Sequence, residues 1–389
     1  MRARALFFIA LGLFGLYAVE FGVVGILPAI VQRHGVEVSQ AAWLVALFAG
    51  VVAIGGPAMV LWLSRYDRRR VLTAALLVFS LCSLLSAQAP SFAVLLALRI
   101  PSALLHPVFF ALAFAAAVSL YPPERAAHAT AMAFLGTTLG LVLGVPLATW
   151  IEARVSYEAS FHFCAAVNLL AAAGLWIVLP AGGGAQSRAP LHRLPTILRR
   201  RALWLSIIAA VAIFAAMFSV YSYAAEYLAR QAHLGGTAIS ILLGVFGVGG
   251  VLGNLLAGRA LERQFAWTVL AYPLVLAATY GVLLAFASSS FTTLVPICLL
   301  WGAVHTSGLI VSQLWVTSAA PEVPEFATSL YVSAANLGVV LGAAMGGSLI
   351  ARVGMPGVLW SGWLFTAVAL VAVLARRPWR GGVQGRLES

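Results

Sequence analysis

Lysine is absent from the 389 residues, and only 11 acidic residues stand against 23 basic ones, all of them arginine. Charged residues make up 9% of the chain and apolar ones 62%, for a mean hydropathy of +1.01. Soluble domains use about 25% charged and about 45–50% apolar residues, so a water-solvated globule is excluded and the solvent for most of this chain is lipid. Cysteine is scarce too. Cys82, Cys164 and Cys298 each fall inside an apolar stretch, where a thiol behaves as a small buried hydrophobe. Their spacing supports neither a disulfide framework nor a metal site. A phosphate loop ending in Gly-Lys-Ser/Thr cannot be written without lysine, which excludes that route to ATP hydrolysis within the chain. The sequence holds no catalytic constellation and no large extramembrane region, so neither an enzyme nor a bound cofactor is expected.

What fills the sequence instead is a succession of apolar runs of spanning length. A helix crosses about 30 Å of hydrocarbon with about 20 residues, because in lipid each backbone N–H and C=O must be paired within its own segment. The runs predict helices near 5–31, 41–63, 71–89, 92–120, 126–152, 160–180, 203–230, 237–261, 266–288, 291–318, 324–351 and 356–375. A β-barrel would alternate apolar and polar residues over segments of about ten, whereas these runs are continuous and rich in Leu, Ala and Gly. Arg2 and Arg4 precede the first run as they would in a signal peptide, yet the run lasts to about Val31 without a small-residue cleavage site and reads as the first helix. With an even number of spans both termini share one side. That side collects about eighteen arginines and the opposite side about four, which by the positive-inside rule puts both termini in the cytoplasm of a bacterial inner membrane. The net charge of +12 is therefore mostly topology, and no nucleic-acid partner is expected.

The longest polar interruption, 181–202, holds Gly182-Gly183-Gly184, Pro190, Pro195 and a cluster of arginines near the middle of the chain. It reads as a cytoplasmic linker between an N-terminal half, 1–180, and a C-terminal half, 203–376, with a tail at 377–389. The halves repeat at an offset of 198: Leu139-Gly140, Val142-Leu143-Gly144 and Ala153-Arg154-Val155 recur as Leu337-Gly338, Val340-Leu341-Gly342 and Ala351-Arg352-Val353. At the same offset Gly55, Arg65, Val71 and Leu72 match Gly253, Arg263, Val269 and Leu270.

Four short stretches carry a family likeness. They are Val19-Glu20-Phe21 followed by Gly25, Leu27 and Pro28; Arg99-Ile100-Pro101-Ser102-Ala103-Leu104-Leu105-His106; Gly136, Gly140 and Gly144-Val145-Pro146; and Gly258-Arg259-Ala260-Leu261-Glu262-Arg263. Together they resemble the sugar, nucleoside and drug efflux permeases, the arabinose efflux permease-like branch of the twelve-helix drug:proton antiporters of the major facilitator superfamily. The resemblance implies an all-α polytopic membrane protein of about twelve helices in two pseudo-symmetric six-helix halves, with alternating access to a midplane site. It implies proton-coupled export of a small molecule, a sugar, nucleoside or drug-like compound; a proton-independent facilitator or an uptake symporter is the alternative. Substrate, protons and the lipid bilayer are the expected partners, and the fold can work as a monomer. One departure stands out: in the first copy of the loop motif, Ser64-Arg65-Tyr66-Asp67-Arg68-Arg69-Arg70, Ser64 occupies a position usually acidic in the superfamily. A conformational latch there would fall to Asp67 or to Glu262 with Arg263, the basic residues Arg65, Arg68 and Arg69 either gripping facing helix ends or setting topology.

A carboxylate inside a membrane helix costs about 2.5–3.5 kcal/mol on insertion scales, so it faces a cavity or a partner. Glu20, halfway along the first helix, is the candidate proton carrier; its other reading is a structural hydrogen-bond acceptor or a substrate contact. His106 and His305 lie 199 residues apart at nearly equivalent repeat positions and join it as candidates for proton coupling or substrate binding, the alternative being neutral packing residues. Tyr17, Tyr221, Gln313 and Asn336 complete the candidate substrate set, although buried amides in membrane bundles also serve simply as interhelical hydrogen bonds. Gly136, Gly140, Gly144 and, in the other half, Gly338 and Gly342 recur every four residues on one helix face and are expected to pack backbones closely, with Pro146 able to bend its helix.

Overall fold

A helix is the structure that pairs its own backbone in lipid, and the computed structural model, which describes residues 2–41, 43–180 and 194–376, is all-helical among those residues. Eleven helices among the described residues are long and apolar enough to cross a membrane. In the first half these are α1 (Arg2–Gly25), α2 (Trp43–Leu63), α3 (Arg68–Ala87), α4 (Phe92–Ser119), α5 (Ala126–Arg154) and α6 (Tyr157–Val178). In the second, α7 (Arg201–Tyr221) is followed by the 50-residue stretch Gly236–Ala285, then α10 (Phe291–Thr317), α11 (Pro324–Val353) and α12 (Gly357–Ala375). Fifty helical residues would measure about 75 Å, more than twice the hydrocarbon thickness. The stretch is broken at Gln264, whose φ of −145° and ψ of 68° are not helical, so it is two spans, α8 (236–263) and α9 (265–285), and the total is the expected twelve.

Local chemistry sets the helix ends. Asp67 caps α3 by accepting the Arg70 backbone N–H at 2.9 Å, Ser91 caps α4 through Val94, and Ser156 caps α6 through Ala159. The expected spans 5–31 and 203–230 are each two pieces. α1 stops at Gly25 and an eight-residue helix, Leu27–His34, restarts with Pro28 in its first turn, where a missing N–H does no harm; Gly35 ends it in the left-handed conformation at φ 61°. α7 stops at Tyr221 and is followed by the eight-residue Ala224–Gln231. Each short helix buries one apolar side against its own half: Ile30 against Leu44, Leu95, Ala148 and Tyr157, and Leu228 against Leu242, Leu294 and Cys298. Of the expected linker, 181–193 lies outside the described residues, as does the tail 377–389; its remaining part contains the short helix Leu194–Leu198.

The contacts divide into two compact units, Met1–Leu191 with Glu322–Ser333, and His192–Pro321 with Ala334–Ser389, so the first turns of α11 count with the first unit. Both units use the glycine series in the same way. A Cβ on Gly136 would collide with the Ala10 backbone, one on Gly140 would lie 2.7 Å from the Tyr17 Cβ, and one on Gly144 3.1 Å from the Ala18 Cα, which brings α5 into backbone contact with α1. Gly338 and Gly342 bring α11 equally close to α7 at Val211, Phe214 and Ala215. Pro146 lies within the continuous helix α5 and is exposed.

Candidate functional site

In the first unit α1 and α4 bring a carboxylate and an imidazole together inside the helix bundle. The Glu20 Oε2 lies 3.2 Å from the His106 Nε2, with the two side chains 8% and 1% exposed. Neither ring nitrogen of His106 makes an aligned hydrogen bond to protein, so the imidazole meets the carboxylate at ion-pair distance without being locked to it. Aromatic rings wall the pair: Tyr17 and Phe48 have centroids 5.7 Å from that of His106, and Phe110 stacks on it at 6.1 Å. Phe110 in turn lies 6.0 Å from Tyr331. Apolar walls of this kind strengthen the electrostatic interaction within the pair.

Arg99, seven residues into α4, is 6% exposed and turns inward rather than anchoring at the interface. Its Nη1 donates to the Val19 carbonyl at 2.6 Å, its Nη2 to the Glu20 carbonyl at 2.9 Å, and its Nε to the Leu44 carbonyl at 3.2 Å. The guanidinium also stands 4.7 Å from the centre of the Phe48 ring. Arg99 thus fixes the backbone that carries Glu20, with charge-assisted bonds worth about 1.5–3 kcal/mol each. Partners of this kind are backbone atoms, which leave no mark in the sequence.

The second unit holds no such pair at His305. This residue of α10 is fully buried, its ring nitrogens have no hydrogen-bond partner among the described residues, and Tyr221, Phe246 and Phe218 surround it at 5.1, 5.2 and 5.8 Å between centroids. Along the same helix the Trp301 Nε1, Ser312 Oγ and Gln313 Oε1 are also buried without a partner. Residues 301, 305 and 312 are spaced four and seven apart and therefore share one face. A buried polar group left without a partner costs about 1–3 kcal/mol, which makes this face of α10 a candidate for contact with a hydrogen-bonding ligand. Sequence reasoning named His305 and Gln313 but missed Trp301 and Ser312; the four-and-seven spacing from His305 was the available signal. Asn336, on α11, is 9% exposed.

The loop residues separate. Arg68 makes an ion pair of 2.9 Å with Glu325 in the first turn of α11, the part of that helix that belongs to the first unit. Glu325 had not been singled out. Arg69 lies 4.1 Å over the Trp176 ring, Arg65 stacks on Trp62 and Tyr66, and Asp67 is engaged as the α3 cap. Glu262 and Arg263 are exposed at the end of α8. Glu226 pairs with Arg230 one turn away on the surface, at 2.5 Å.

Comparison with known proteins agrees with this architecture. The family model of the Major Facilitator Superfamily matches residues 9–331. The inner membrane transport protein YdhP of Escherichia coli is 32% identical over 366 residues, 94% of each chain. Among solved structures, the human organic anion transporter MFSD10 (TETRAN) superposes with a TM-score of 0.76 at 16% identity, over 97% of this chain and 99% of that one. The Escherichia coli fucose:proton symporter FucP gives 0.73 at 16% identity, over 95% and 98%. These last two likenesses speak for the fold alone. With twelve spans, duplicated glycine packing and a family match along most of its length, the chain belongs to the major facilitator superfamily of membrane transporters and is not an enzyme.

Proposed function

We propose that this transporter is a proton-coupled antiporter that exports a small molecule, a sugar, nucleoside or drug-like compound, across the bacterial inner membrane with both termini cytoplasmic. The observation that carries the reading is the Glu20–His106 pair, buried at 3.2 Å within the helix bundle. A carboxyl group in that position binds a proton and releases it as the two halves, 1–180 and 203–376, alternate their access; His106 relays the proton and Tyr17 closes the pocket above it. Arg68 with Glu325 acts as the latch that biases one state, Arg65, Asp67 and Arg69 shape the loop before α3, and Glu262 and Arg263 shape the counterpart loop after α8. His305, Tyr221, Gln313 and Asn336 serve substrate recognition, with His305 a second proton-coupling candidate. The localisation draws on the arginine asymmetry and on the printed name of YdhP.

The test is pH-gradient-driven flux in proteoliposomes, with a panel of sugars, nucleosides and hydrophobic drugs and with Glu20→Gln beside the wild type. Substrate-dependent proton movement opposite to substrate, lost in the variant, is the expected result. Movement of both in the same direction identifies a symporter, the word printed for FucP; flux indifferent to the gradient identifies a facilitator and removes the proton reading.

A further inference from the structure

Inside the first unit, between α1, α3, α4, α5 and α6, lies a cavity with about 30 Å³ of room for solvent. A single water needs about 10–15 Å³ on this measure, so the space exceeds one water. Its polar wall consists of Arg99, Ser83, Ser86, Ser102, Ser160, Cys82 and Cys164, with no acidic side chain among the described residues that line it; the Ser83 hydroxyl is spent on the Phe79 carbonyl at 2.8 Å. The Ser160 hydroxyl is spent on the Ala148 carbonyl at 2.9 Å. Ser86 is 5% exposed and its hydroxyl bonds to no group among the described residues.

Arg99 supplies the charge. Its three hydrogen bonds go to backbone carbonyls, which leaves two of the five guanidinium N–H groups without an acceptor among the described residues. No carboxylate among the described residues forms an ion pair with it, because the Glu20 carboxylate goes to His106. The ionisable groups facing this region are Tyr17 and Glu20 on α1, Cys82 on α3, His106 on α4 and Cys164 on α6; α2 faces it with Phe48 and α5 with Ala148. With Glu20 ionised and His106 neutral, the charges of Glu20 and Arg99 sum to zero. Adding one proton to the Glu20–His106 pair leaves a net charge of +1 in a space walled by apolar side chains, and a buried charge without a counter-charge is expensive.

We infer that this cavity is an anion site: it takes a halide-sized monoanion against the Arg99 guanidinium, and takes it most tightly when the Glu20–His106 pair holds its extra proton. A single negative charge matches the excess, and N–H, O–H and S–H donors are what the wall offers. The site stands on the cavity and Arg99; its link to proton loading rests on the proton carrier proposed above. In a transporter built this way, chloride accompanies the loaded proton and sets how readily it is released.

Equilibrium bromide binding to the purified full-length protein, with gluconate as the replacement anion, tests this without any transported substrate. Saturable binding that tightens about tenfold from alkaline to acid pH is expected for the wild type. Glu20→Gln removes the negative charge for good and is expected to bind bromide tightly at both pH values. A crystal soaked in bromide then shows an anomalous peak within hydrogen-bonding distance of Arg99, and Ser86→Leu, which fills the cavity, loses it; Ser86→Ala keeps the space and retains the peak. Water alone beside Arg99 in both wild type and Glu20→Gln overturns the site. Binding with no pH dependence in the wild type overturns the link to the proton while leaving export itself to be judged by the flux experiment.

Discussion

The two halves share a packing plan and differ in their charges. α1 and α7 both end in a break followed by an eight-residue helix, and each accepts a glycine-faced partner, α5 or α11, into backbone contact. The histidines of α4 and α10 sit at nearly the same repeat position and both are buried. Yet His106 has Glu20 at 3.2 Å and Arg99 behind it, whereas His305 has no ion-pair partner among the described residues and is surrounded by Tyr221, Phe246 and Phe218. The repeated glycine packing is kept while the buried polar groups differ. In the antiporter proposed above, the first half handles charge and the second meets the hydrogen-bonding groups of a neutral or weakly charged molecule.

Breaking the shared part has the largest effect. Gly136→Leu and Gly338→Leu each place a side chain where a neighbouring backbone now lies, so both are expected to cost at least about 1–3 kcal/mol and to deplete folded protein in the membrane. Thermal unfolding in detergent and yield after size exclusion measure this. If only one variant is damaged, the packing of the halves is less alike than their geometry.

The unshared part is sharpened by a pair of histidine variants. His106→Gln is expected to change the pH profile of transport, because it dismantles the group on which the proton rests. His305→Gln is expected to leave the shape of that profile intact and to weaken substrate affinity instead. A His305→Gln protein with an altered pH profile and unchanged affinity would move His305 into the proton path and erase the division of labour.

Much of this was legible from residue order and some of it was not. The lengths of the apolar runs marked the spans, and the proximity of Pro28 to Gly25 gave a reason for the break after α1, although the expected helix ran through it. The break after Tyr221 has no Pro or Gly at it, and α7 was accordingly drawn too long. Glu20 and His106 were each singled out, but a contact across 86 residues depends on how α1 and α4 pack. The partners of Arg99 cannot be read from residue order, because its acceptors are carbonyls that every residue possesses.

A smaller effect is expected on α10. Trp301→Phe and Ser312→Ala each remove one orphaned group while nearly keeping the volume. If the row meets substrate, each loses up to about tenfold in affinity, equivalent to about 1.4 kcal/mol, with thermal stability equal to or above that of the wild type. The corresponding region of α4 supplies the control: Phe114, aligned with Ser312 at the repeat offset, has no polar atom to lose, and Phe114→Leu should act on stability alone.

The smallest expected effect lies at the short helix of the first half, outside the spans. Arg33 reaches Glu158 at 2.6 Å and lies over the Tyr157 ring, and the His34 Nε2 stands 3.5 Å from the Tyr157 hydroxyl. The counterpart Arg230 pairs only within its own helix. Burial, and secondarily the Arg33 charge, lowers the His34 pKa from its usual value. A histidine lowered by folding binds its proton more readily in the unfolded chain, so its contribution is fully present above about pH 6.5 and is lost as pH falls through the folded value. His34→Gln should therefore flatten a slight acid destabilisation of the first half. Because His34 is only partly buried, solvent screens the effect to a shift in the acid limb of the unfolding temperature, with no change at neutral pH. Equal acid limbs in wild type and variant would show that the clamp on α6 holds through Arg33 and Glu158 alone, and Arg33→Ala, expected to cost about 0.2–1 kcal/mol, would then be the variant that makes the outer corner of the first half resemble that of the second.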